Sequence, residues 1–227
     1  WAVEHFEQNL KGSPGLSYLL SRGLTPESIA AFRLGWAGDS WDALLKAAPF
    51  PVEILEKAGL VLPGKDGRGH YDRFRGRVIF PIFDPQGRPI AFGARILGAD
   101  RPGEPKYLNS PATTVFSKSA ALYGLDKAGN TVRSEGRVAV MEGYTDVIRA
   151  HQAGVTWAVA TLGTALTGEH ASLLKRYTDQ VVLVYDADAA GKKAADRGLD
   201  VFLQANFLVR VCTLPEGEDP ADFFGHA

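Results

Sequence analysis

The chain has 227 residues, of which 45% are hydrophobic and 22% are charged, and its formal net charge is −1. This composition is typical of a soluble globular protein of one large or two smaller domains. The sequence contains no run of about 18 apolar residues and no recognisable signal peptide, which excludes a membrane-spanning helix and predicts no membrane partner. The single cysteine, Cys212, excludes an internal disulfide and a cysteine-based zinc cluster.

The small net charge hides an uneven distribution of charged residues. Residues 65–118 hold ten Lys or Arg against five Asp or Glu, whereas residues 186–227 hold four against eight. A basic middle and an acidic end favour a polyanion bound on one surface and cations held on another. Ordinary solvated charge on loops is the alternative explanation. The chain also opens without a methionine, and we expect it to be a fragment of a longer protein.

Residues 1–60 are predicted to be helical. Thr25 and Pro26 form an N-terminal helix signal, and "PVEILEKAGL" ends on a glycine stop signal. From about residue 69 the apolar period shortens, and "RVIFPIFDPQGRPIAFGARIL" predicts a β-hairpin that turns at "DPQGR".

The basic stretch "DRFRGRVIFPI" predicts a strand over residues 73–83. Such a strand places Arg73, Arg75 and Arg77 on one face, where three guanidinium groups repel unless an anionic chain passes them. Further basic, aromatic and amide side chains that suit a single nucleic-acid strand follow at Arg95, Lys106, Tyr107 and Asn109. A solvated face with Tyr107 in the core is the alternative.

Residues 130–137, "NTVRSEGR", are predicted to be a linker, which divides the chain into domains at 1–130 and 131–227. Beyond it, apolar runs and helical segments alternate, and Thr167 is a predicted helix cap. This alternation predicts an α/β fold with a mostly parallel sheet flanked by helices, after an α+β first domain.

Acidic residues follow three of the four strands predicted in the second domain. Glu142 follows "VAVM", Asp186 and Asp188 follow "VVLVY", and Asp219 follows the last strand. Ligands of parallel sheets bind beyond the carboxyl ends of the strands, and neighbouring carboxylates repel unless a divalent cation lies between them. We therefore predict a Mg²⁺ site at this edge, with Asp146 one helical turn after Glu142 as an outer hydrogen-bond acceptor.

Two other interpretations of the D-x-D pair exist. Asp186 and Asp188 could cap the helix that follows them, favoured by its dipole. They also resemble the haloacid-dehalogenase pattern D-x-D-x-[TV], in which the first aspartate is a nucleophile. Ala190 stands where that pattern requires Thr or Val, which counts against the second interpretation.

Blocks throughout the chain resemble bacterial DNA primases of the DnaG type. The Toprim motifs of that family are similar to "VMEGYTDVI", "ATLGTALT", "YDADAAGKKAA" and "LPEGEDPADFF". The preceding subdomain of the same family is similar, in the same order, to "YLLSRGLTPESIAAFRLGWA", "DRFRGRVIFPI", "IAFGARIL" and "PKYLNSPATTVFSKSAALYGL". Other Toprim proteins share the glutamate and the D-x-D pair but not the "DRFRGRV" or "KYLNSP" blocks.

This resemblance implies a nucleotidyltransferase, a DNA-dependent RNA polymerase that makes short primers on single-stranded DNA from ribonucleoside triphosphates in the bacterial cytoplasm. It implies that Glu142, Asp186 and Asp188 are catalytic and bind Mg²⁺ or Mn²⁺, with Asp219 as a further metal ligand. The family's D-P-D motif reads "DPAD" here, so that Ala221 replaces the second acid and Asp222 follows one residue late. The family's basic ridge for template and nucleotide corresponds to Arg22, Arg73, Arg95, Lys106, Tyr107, Asn109 and Lys118.

Full-length members of this family also carry a zinc-binding domain and a helicase-binding domain. We expect neither domain in this sequence, hence no zinc, and a replicative helicase as partner only through a missing domain. Two other functions stay open: a strand-cleaving Toprim enzyme such as a topoisomerase or nuclease, and a module that only binds single-stranded DNA.

Overall fold

The computed structural model describes residues 1–64, 67–97, 103–185, 189–215 and 217–225, without the side chains of residues 189, 190 and 192. The chain forms two compact units. The first comprises Trp1–Ile82 and Pro89–Phe116, and the second comprises Phe83–Arg88 and Ser117–Ala227.

The first unit begins with helices and continues with antiparallel strands. Its helices are α1 (Ala2–Leu10), α2 (Pro14–Ser21), α3 (Pro26–Ala31), α4 (Ala43–Ala47) and α5 (Val52–Lys57). Its strands are β1 (Gly35–Ala37), β2 (Val61–Pro63), β3 (His70–Asp72), β4 (Arg77–Phe83), β5 (Pro89–Ile96) and β6 (Tyr107–Asn109). Within the described residues, β1, β4, β5 and β6 form one sheet in that order, and β2 pairs with β3.

The core of the first unit forms where α1 lies against β1 and the central hairpin. Phe6 of α1 packs edge-on against Phe74 and Phe92, with ring centroids 6.5 Å and 5.3 Å away. A Cβ atom at Gly35 would lie 2.5 Å from the Cβ of Phe6, so that only glycine allows α1 to approach β1 this closely. Every residue of β4 is buried, which explains the continuous apolar run in the sequence.

The second unit alternates helices and strands. Its helices are α6 (Leu125–Glu135), α7 (Tyr144–Gln152), α8 (Gly168–Leu174), α9 (Ala189–Gln204) and α10 (Pro220–Phe223). Its strands are β7 (Val138–Met141), β8 (Ala158–Ala160), β9 (Gln180–Tyr185) and β10 (Leu208–Thr213). Within the described residues these strands form a parallel sheet in the order β10-β9-β7-β8.

Several predictions from the sequence are confirmed. The chain combines an antiparallel first part with a parallel α/β second part, and the hairpin of β4 and β5 turns at the expected residues. The side chains of Thr25 and Thr167 accept hydrogen bonds from the backbone of the helices that they precede. No helix in the described ranges has the length and apolarity needed to cross a membrane.

Three predictions of local structure are wrong. Residues 1–60, predicted to be helical, also contain the strand β1. The linker predicted over residues 130–137 is largely helical, because Leu125, Ala128 and Val132 of α6 share a buried face at helical spacing while the polar residues between them face outward. The strand predicted over residues 73–83 begins only at Arg77. The predicted domain boundary between residues 130 and 131 stays a prediction.

The two ends of the sheet in the second unit differ in burial. All residues of β7 and β8 are buried, as expected for strands covered on both faces, although β8 ends the sheet. At the opposite end of the sheet, Leu208 and Val211 of β10 are exposed, and Leu203 of α9 is exposed as well.

A buried histidine fixes the segment that carries Lys118. The side chain of His170 is fully buried, and its Nε2 lies 2.9 Å from the carbonyl of Lys118 and 3.2 Å from that of Ala121. The backbone N–H of Thr167 donates to its Nδ1. Because carbonyl groups only accept, Nε2 carries the hydrogen and the ring is neutral. Burial lowers the pKa of His170.

We predict that the second unit loses stability in acid partly through His170. The unfolded chain takes up a proton near the ordinary histidine pKa of about 6.5, which the folded chain resists, so stability is full above that pH and falls as the pH drops toward the folded pKa. Urea unfolding of the wild type and of His170→Gln at pH 7.5 and pH 5.0 tests this prediction. Each pH lies about one unit or more from the ordinary histidine pKa.

At pH 7.5 we expect His170→Gln to be less stable than the wild type. Between pH 7.5 and pH 5.0 we expect the variant to lose less stability than the wild type loses. His70, which is partly exposed beside Glu56, provides the control variant His70→Gln. An unchanged pH dependence in His170→Gln would contradict the assignment.

Candidate active site and nucleic-acid interface

The carboxyl edge of the parallel sheet contains a reversal of strand order. From β7 the chain passes through α7 to β8 on one side, and then through α8 to β9 on the other side of β7. Ligands of open α/β sheets bind in the crevice that such a reversal creates. Glu142 follows β7 directly and Tyr185 ends β9, so both residues border this crevice.

Glu142 is exposed at this edge, and the turn that carries it is fixed by Asp146. The Oδ2 atom of Asp146 accepts a hydrogen bond from the backbone N–H of Gly143 at 2.9 Å, and Asp146 itself is buried. A Cβ atom at position 143 would lie 2.7 Å from this Oδ2, so glycine is required for the contact. Asp146 therefore holds the turn that carries Glu142 against the start of α7. Its predicted role as an outer hydrogen-bond acceptor of a metal site stays a prediction.

Tyr185 is the last residue of β9, and it lines the same crevice as Glu142. Burial, together with the negative charge of Glu142, raises the pKa of Tyr185. Asp186 and Asp188 follow it in the sequence and lie outside the described residues. Among the residues that are described, no three His, Cys, Asp or Glu side chains form a metal cluster.

Asp219 begins α10. Its Oδ1 atom accepts a hydrogen bond from the backbone N–H of Asp222 at 2.7 Å. The Nε of Arg149 on α7 donates to the carbonyl of Ala221 at 3.3 Å, which ties α10 to the helix that follows Glu142. Ala221 is buried and Asp222 is exposed. Their roles toward a metal stay predictions.

The donor chemistry at this edge fits a hard divalent cation. Glu142 offers exposed carboxylate oxygens, and the lining of the crevice contains no histidine or cysteine among the described residues. Oxygen ligands of this kind suit Mg²⁺ or Mn²⁺ rather than zinc.

In the first unit, the three arginines of "DRFRGR" have three different environments. The guanidinium of Arg75 lies 4.4 Å from the ring centroid of Trp41 and 5.2 Å from that of Tyr71, and it also bonds to the carbonyl of Asp72. Trp41 is 64% exposed. We call these three side chains, Trp41, Tyr71 and Arg75, the Trp41 platform.

The carboxylate of Asp72 holds the Trp41 platform in place. It is buried and accepts hydrogen bonds from the backbone N–H groups of Leu44 and Leu45, at 2.8 Å and 3.0 Å. The backbone N–H of Asp72 donates to the carbonyl of Trp41 at 2.7 Å. The platform is therefore attached to both α4 and β3.

Arg77 does not face outward as the predicted strand required. It is 2% exposed, and its guanidinium donates to the carbonyl of Pro105 at 2.9 Å and to Glu104 at 3.1 Å. The alternation argument fails because residues 73–76 are not a strand, so the three arginines share no common face. Arg77 instead holds the segment that leads into Lys106.

Most of the other predicted nucleic-acid residues of this unit gather around β5 and β6. Arg95 pairs across the strands with Tyr107, and its guanidinium lies 4.6 Å from the ring of Tyr18. Arg73 donates to the carbonyl of Asn109 at 2.9 Å. Buried nitrogen and oxygen atoms without a hydrogen-bond partner in the described structure include the Nε of Arg73, the Nε of Arg95 and the hydroxyl of Tyr18.

Of the remaining predicted residues, Lys106 directly precedes β6, whereas Arg22 and Lys118 lie elsewhere along the chain. Arg22 is exposed at the end of α2, and Lys106 is exposed at the start of β6. Lys118 belongs to the second unit, where its carbonyl accepts from His170.

Sequence reasoning missed the aromatic partners of these arginines. Trp41 and Tyr18 are distant in sequence from the cations that they contact, so no local spacing joins them. Tyr71 stands only four residues before Arg75 but was not singled out. The only available signal was the presence of an exposed tryptophan in a polar segment, "GDSWDA".

Both halves of the chain match models of known protein families. Residues 4–129 match the family model of the DNA primase catalytic core, N-terminal domain, and residues 139–224 match the Toprim-like model. The DNA primase of Deinococcus radiodurans is 50% identical over 226 residues, which cover 98% of this chain and 39% of that protein. The chain thus spans about two fifths of the length of this curated relative.

Solved structures agree. The crystal structure of a DNA primase domain from Pseudomonas aeruginosa is 45% identical with a TM-score of 0.90, over 97% of this chain and 71% of that one. The structure of the DnaG primase catalytic domain bound to ssDNA is 41% identical with a TM-score of 0.86, over 97% and 71%. The chain belongs to the DnaG-type DNA primase catalytic core family.

Proposed function

We propose that the chain is the polymerising core of a primase, a DNA-dependent RNA polymerase that makes short RNA primers on single-stranded DNA. The observation that carries this proposal is the exposed carboxylate of Glu142 at the strand-order reversal of a Toprim-like unit, in a chain whose other half matches the primase core. Relatives that are bacterial DNA primases support a cytoplasmic location.

The proposed reaction joins two ribonucleotides. The 3′-hydroxyl oxygen of one attacks the α-phosphorus of the next, and the bond from that phosphorus to the bridging oxygen breaks, so pyrophosphate leaves with the electron pair and the hydroxyl proton passes to solvent. Bound Mg²⁺ or Mn²⁺ would supply positive charge to the reacting oxygens. We propose Glu142, Asp186, Asp188 and Asp219 as its ligands.

The described residues contribute positioning rather than covalent chemistry. Asp146 fixes the turn that presents Glu142, and Arg149 fixes the start of α10, from which Asp219 projects. Phosphoryl transfer depends mainly on such positioning and on electrostatic stabilisation, so no side-chain nucleophile is needed.

The strand-cleaving alternative is less well supported. A topoisomerase requires a tyrosine nucleophile, and the tyrosines nearest the crevice are Tyr144 and Tyr185. Tyr144 is buried with its ring 4.8 Å from Tyr123, and burial raises the pKa of Tyr185. Both features oppose attack by a phenolate on a DNA backbone.

We propose that the template is bound by the Trp41 platform together with the group around Arg95 and Tyr107. Each combines an arginine with an exposed aromatic ring, which suits phosphate contacts and base stacking on a single strand. The related DnaG catalytic domain bound to ssDNA supports a single-stranded template. Ribonucleoside triphosphates and a replicative helicase are further proposed partners, the helicase through a part of the protein beyond this sequence.

Glu142→Gln is predicted to abolish primer synthesis while the fold survives. The substitution keeps the size of the side chain but removes the negative charge that binds a divalent cation. Primer formation from labelled ribonucleotides and unfolding by urea test the two parts, and we expect Asp186→Ala to behave in the same way.

Glu169→Gln, an exposed acid on α8, is the matched control. Primer synthesis at the wild-type rate by Glu142→Gln would refute the metal assignment. A chain that binds DNA equally well with and without divalent cations, and makes no primers, would favour the module that only binds DNA.

Trp41→Ala is predicted to weaken binding of single-stranded DNA by about 1–3 kcal/mol, the usual contribution of one stacked base. The slope of log K against log salt should change little, because tryptophan neutralises no phosphate. Arg75→Gln should instead reduce that slope by about 0.7 for one lost phosphate contact.

Fluorescence anisotropy with a labelled oligonucleotide over a range of salt concentrations measures both effects. Trp1→Ala is the control, since Trp1 is another partly exposed tryptophan of the same unit. Equal losses of affinity in Trp41→Ala and Trp1→Ala would show that the platform is not a stacking site.

A further inference from the structure

Helix α10, which follows Asp219 directly, is too short to be stable without contacts to the rest of the second unit. It comprises only Pro220–Phe223, and isolated helices shorter than about 12 residues are marginal in water. The Oδ1 atom of Asp219 is bonded to the backbone N–H of Asp222 at 2.7 Å, so the direction of this carboxylate follows the position of α10. The contacts that hold α10 in place therefore also place Asp219.

Arg149 of α7 supplies one of these contacts at the far end of α10. Its Nε donates to the carbonyl of Ala221 at 3.3 Å. A Cβ atom at Gly225, just after α10, would overlap a terminal nitrogen of Arg149, so glycine leaves room for the guanidinium there. The positive charge thus lies toward the C-terminal end of α10, where the helix dipole favours it.

The helix that carries Arg149 also holds the turn of Glu142. Asp146, in the first turn of α7, accepts a hydrogen bond from the backbone N–H of Gly143 at 2.9 Å. Five of the nine residues of α7 are buried, so the helix is anchored in the core of the second unit. Glu142 and Asp219, which are distant in sequence, are therefore both held by α7.

We propose that Arg149 is a positioning residue for the divalent cation that Glu142 and Asp219 bind. The inference rests on the proposed function, in which both carboxylates are metal ligands, and it assigns a role in metal affinity to a residue that does not touch the cation. Arg149 keeps α10 on α7, so that Asp219 has a fixed relation to Glu142 before the cation binds. A site whose ligands are ordered in advance loses less conformational freedom on binding.

The direction of the effect separates positioning from charge. If charge alone mattered, removal of the positive Arg149 would strengthen the binding of a divalent cation. If Arg149 acts through α10, its removal weakens binding, because the cation itself must then order Asp219. Removal of a group that orients a metal ligand typically lowers metal affinity by about 10- to 100-fold.

Binding of Mn²⁺ to the chain, without DNA or nucleotides, tests the inference, with free Mn²⁺ measured by electron paramagnetic resonance. We expect Arg149→Met to weaken binding by about tenfold and Arg149→Lys, which keeps the charge and a donor, to weaken it less. Gly225→Ala keeps the guanidinium but displaces it, and should also weaken binding. Arg176→Met removes an exposed arginine just after α8 and should bind Mn²⁺ as the wild type does.

A double-mutant cycle with Asp219→Asn shows whether Arg149 acts through Asp219. Asp219→Asn alone should weaken Mn²⁺ binding, and adding Arg149→Met should then cause little further loss. An equal loss from Arg149→Met with and without Asp219, or unchanged or tighter binding in Arg149→Met, would overturn the inference. Urea unfolding checks that the variants are folded, and if Arg149→Met is not, the cycle is run with Gly225→Ala.

The inference and the proposed function fail separately. Wild-type Mn²⁺ affinity in Arg149→Met would overturn the positioning role even if that variant makes primers. Mn²⁺ binding that couples Arg149 to Asp219 in a chain that makes no primers would support the positioning role and refute only the proposed function.

Discussion

The parallel pairing of β7 with both β8 and β9 is the constraint on which the chemistry of the second unit depends. Parallel strands end at the same edge of their sheet, and the reversal of strand order leaves a crevice there. Glu142 and Tyr185 border this crevice because each stands at the end of a buried strand. Because every residue of β7 is buried, this strand cannot slip in register without placing polar residues in the core, so apolar packing fixes the position of Glu142.

In the first unit, the role of each arginine depends on how deeply it is buried rather than on its spacing in the sequence. Arg75 and Arg77 are two residues apart, yet one stacks on an exposed tryptophan and the other is enclosed by the carbonyl of Pro105 and the carboxylate of Glu104. A buried guanidinium must be paired, because an isolated charge in the interior is costly. Arg77 therefore stabilises the segment before Lys106, while Arg75 keeps a face available to a ligand.

Much of the second unit was predictable because its signals are local. Apolar runs, capping residues such as Thr167 and acids after strands each follow from a few neighbouring residues. The linker prediction failed because the outward face of α6 is polar, and the buried face that Leu125 and Val132 share is visible only at helical spacing. Trp41 and Tyr18, which contact Arg75 and Arg95, were not predictable, since these contacts join residues that are distant in sequence.

The buried position of Ala221 bears on the departure of "DPAD" from the family motif. Ala221 is 6% exposed and its carbonyl is bonded to Arg149 of α7, so an aspartate there would need a partner or a cation to offset its burial. Successive residues of a helix are about 100° apart, so Asp222 cannot project in the direction of residue 221. Asp222 is in fact exposed, while its backbone N–H binds Asp219. Within this motif, Asp219 is therefore the acid that the start of α10 holds in place.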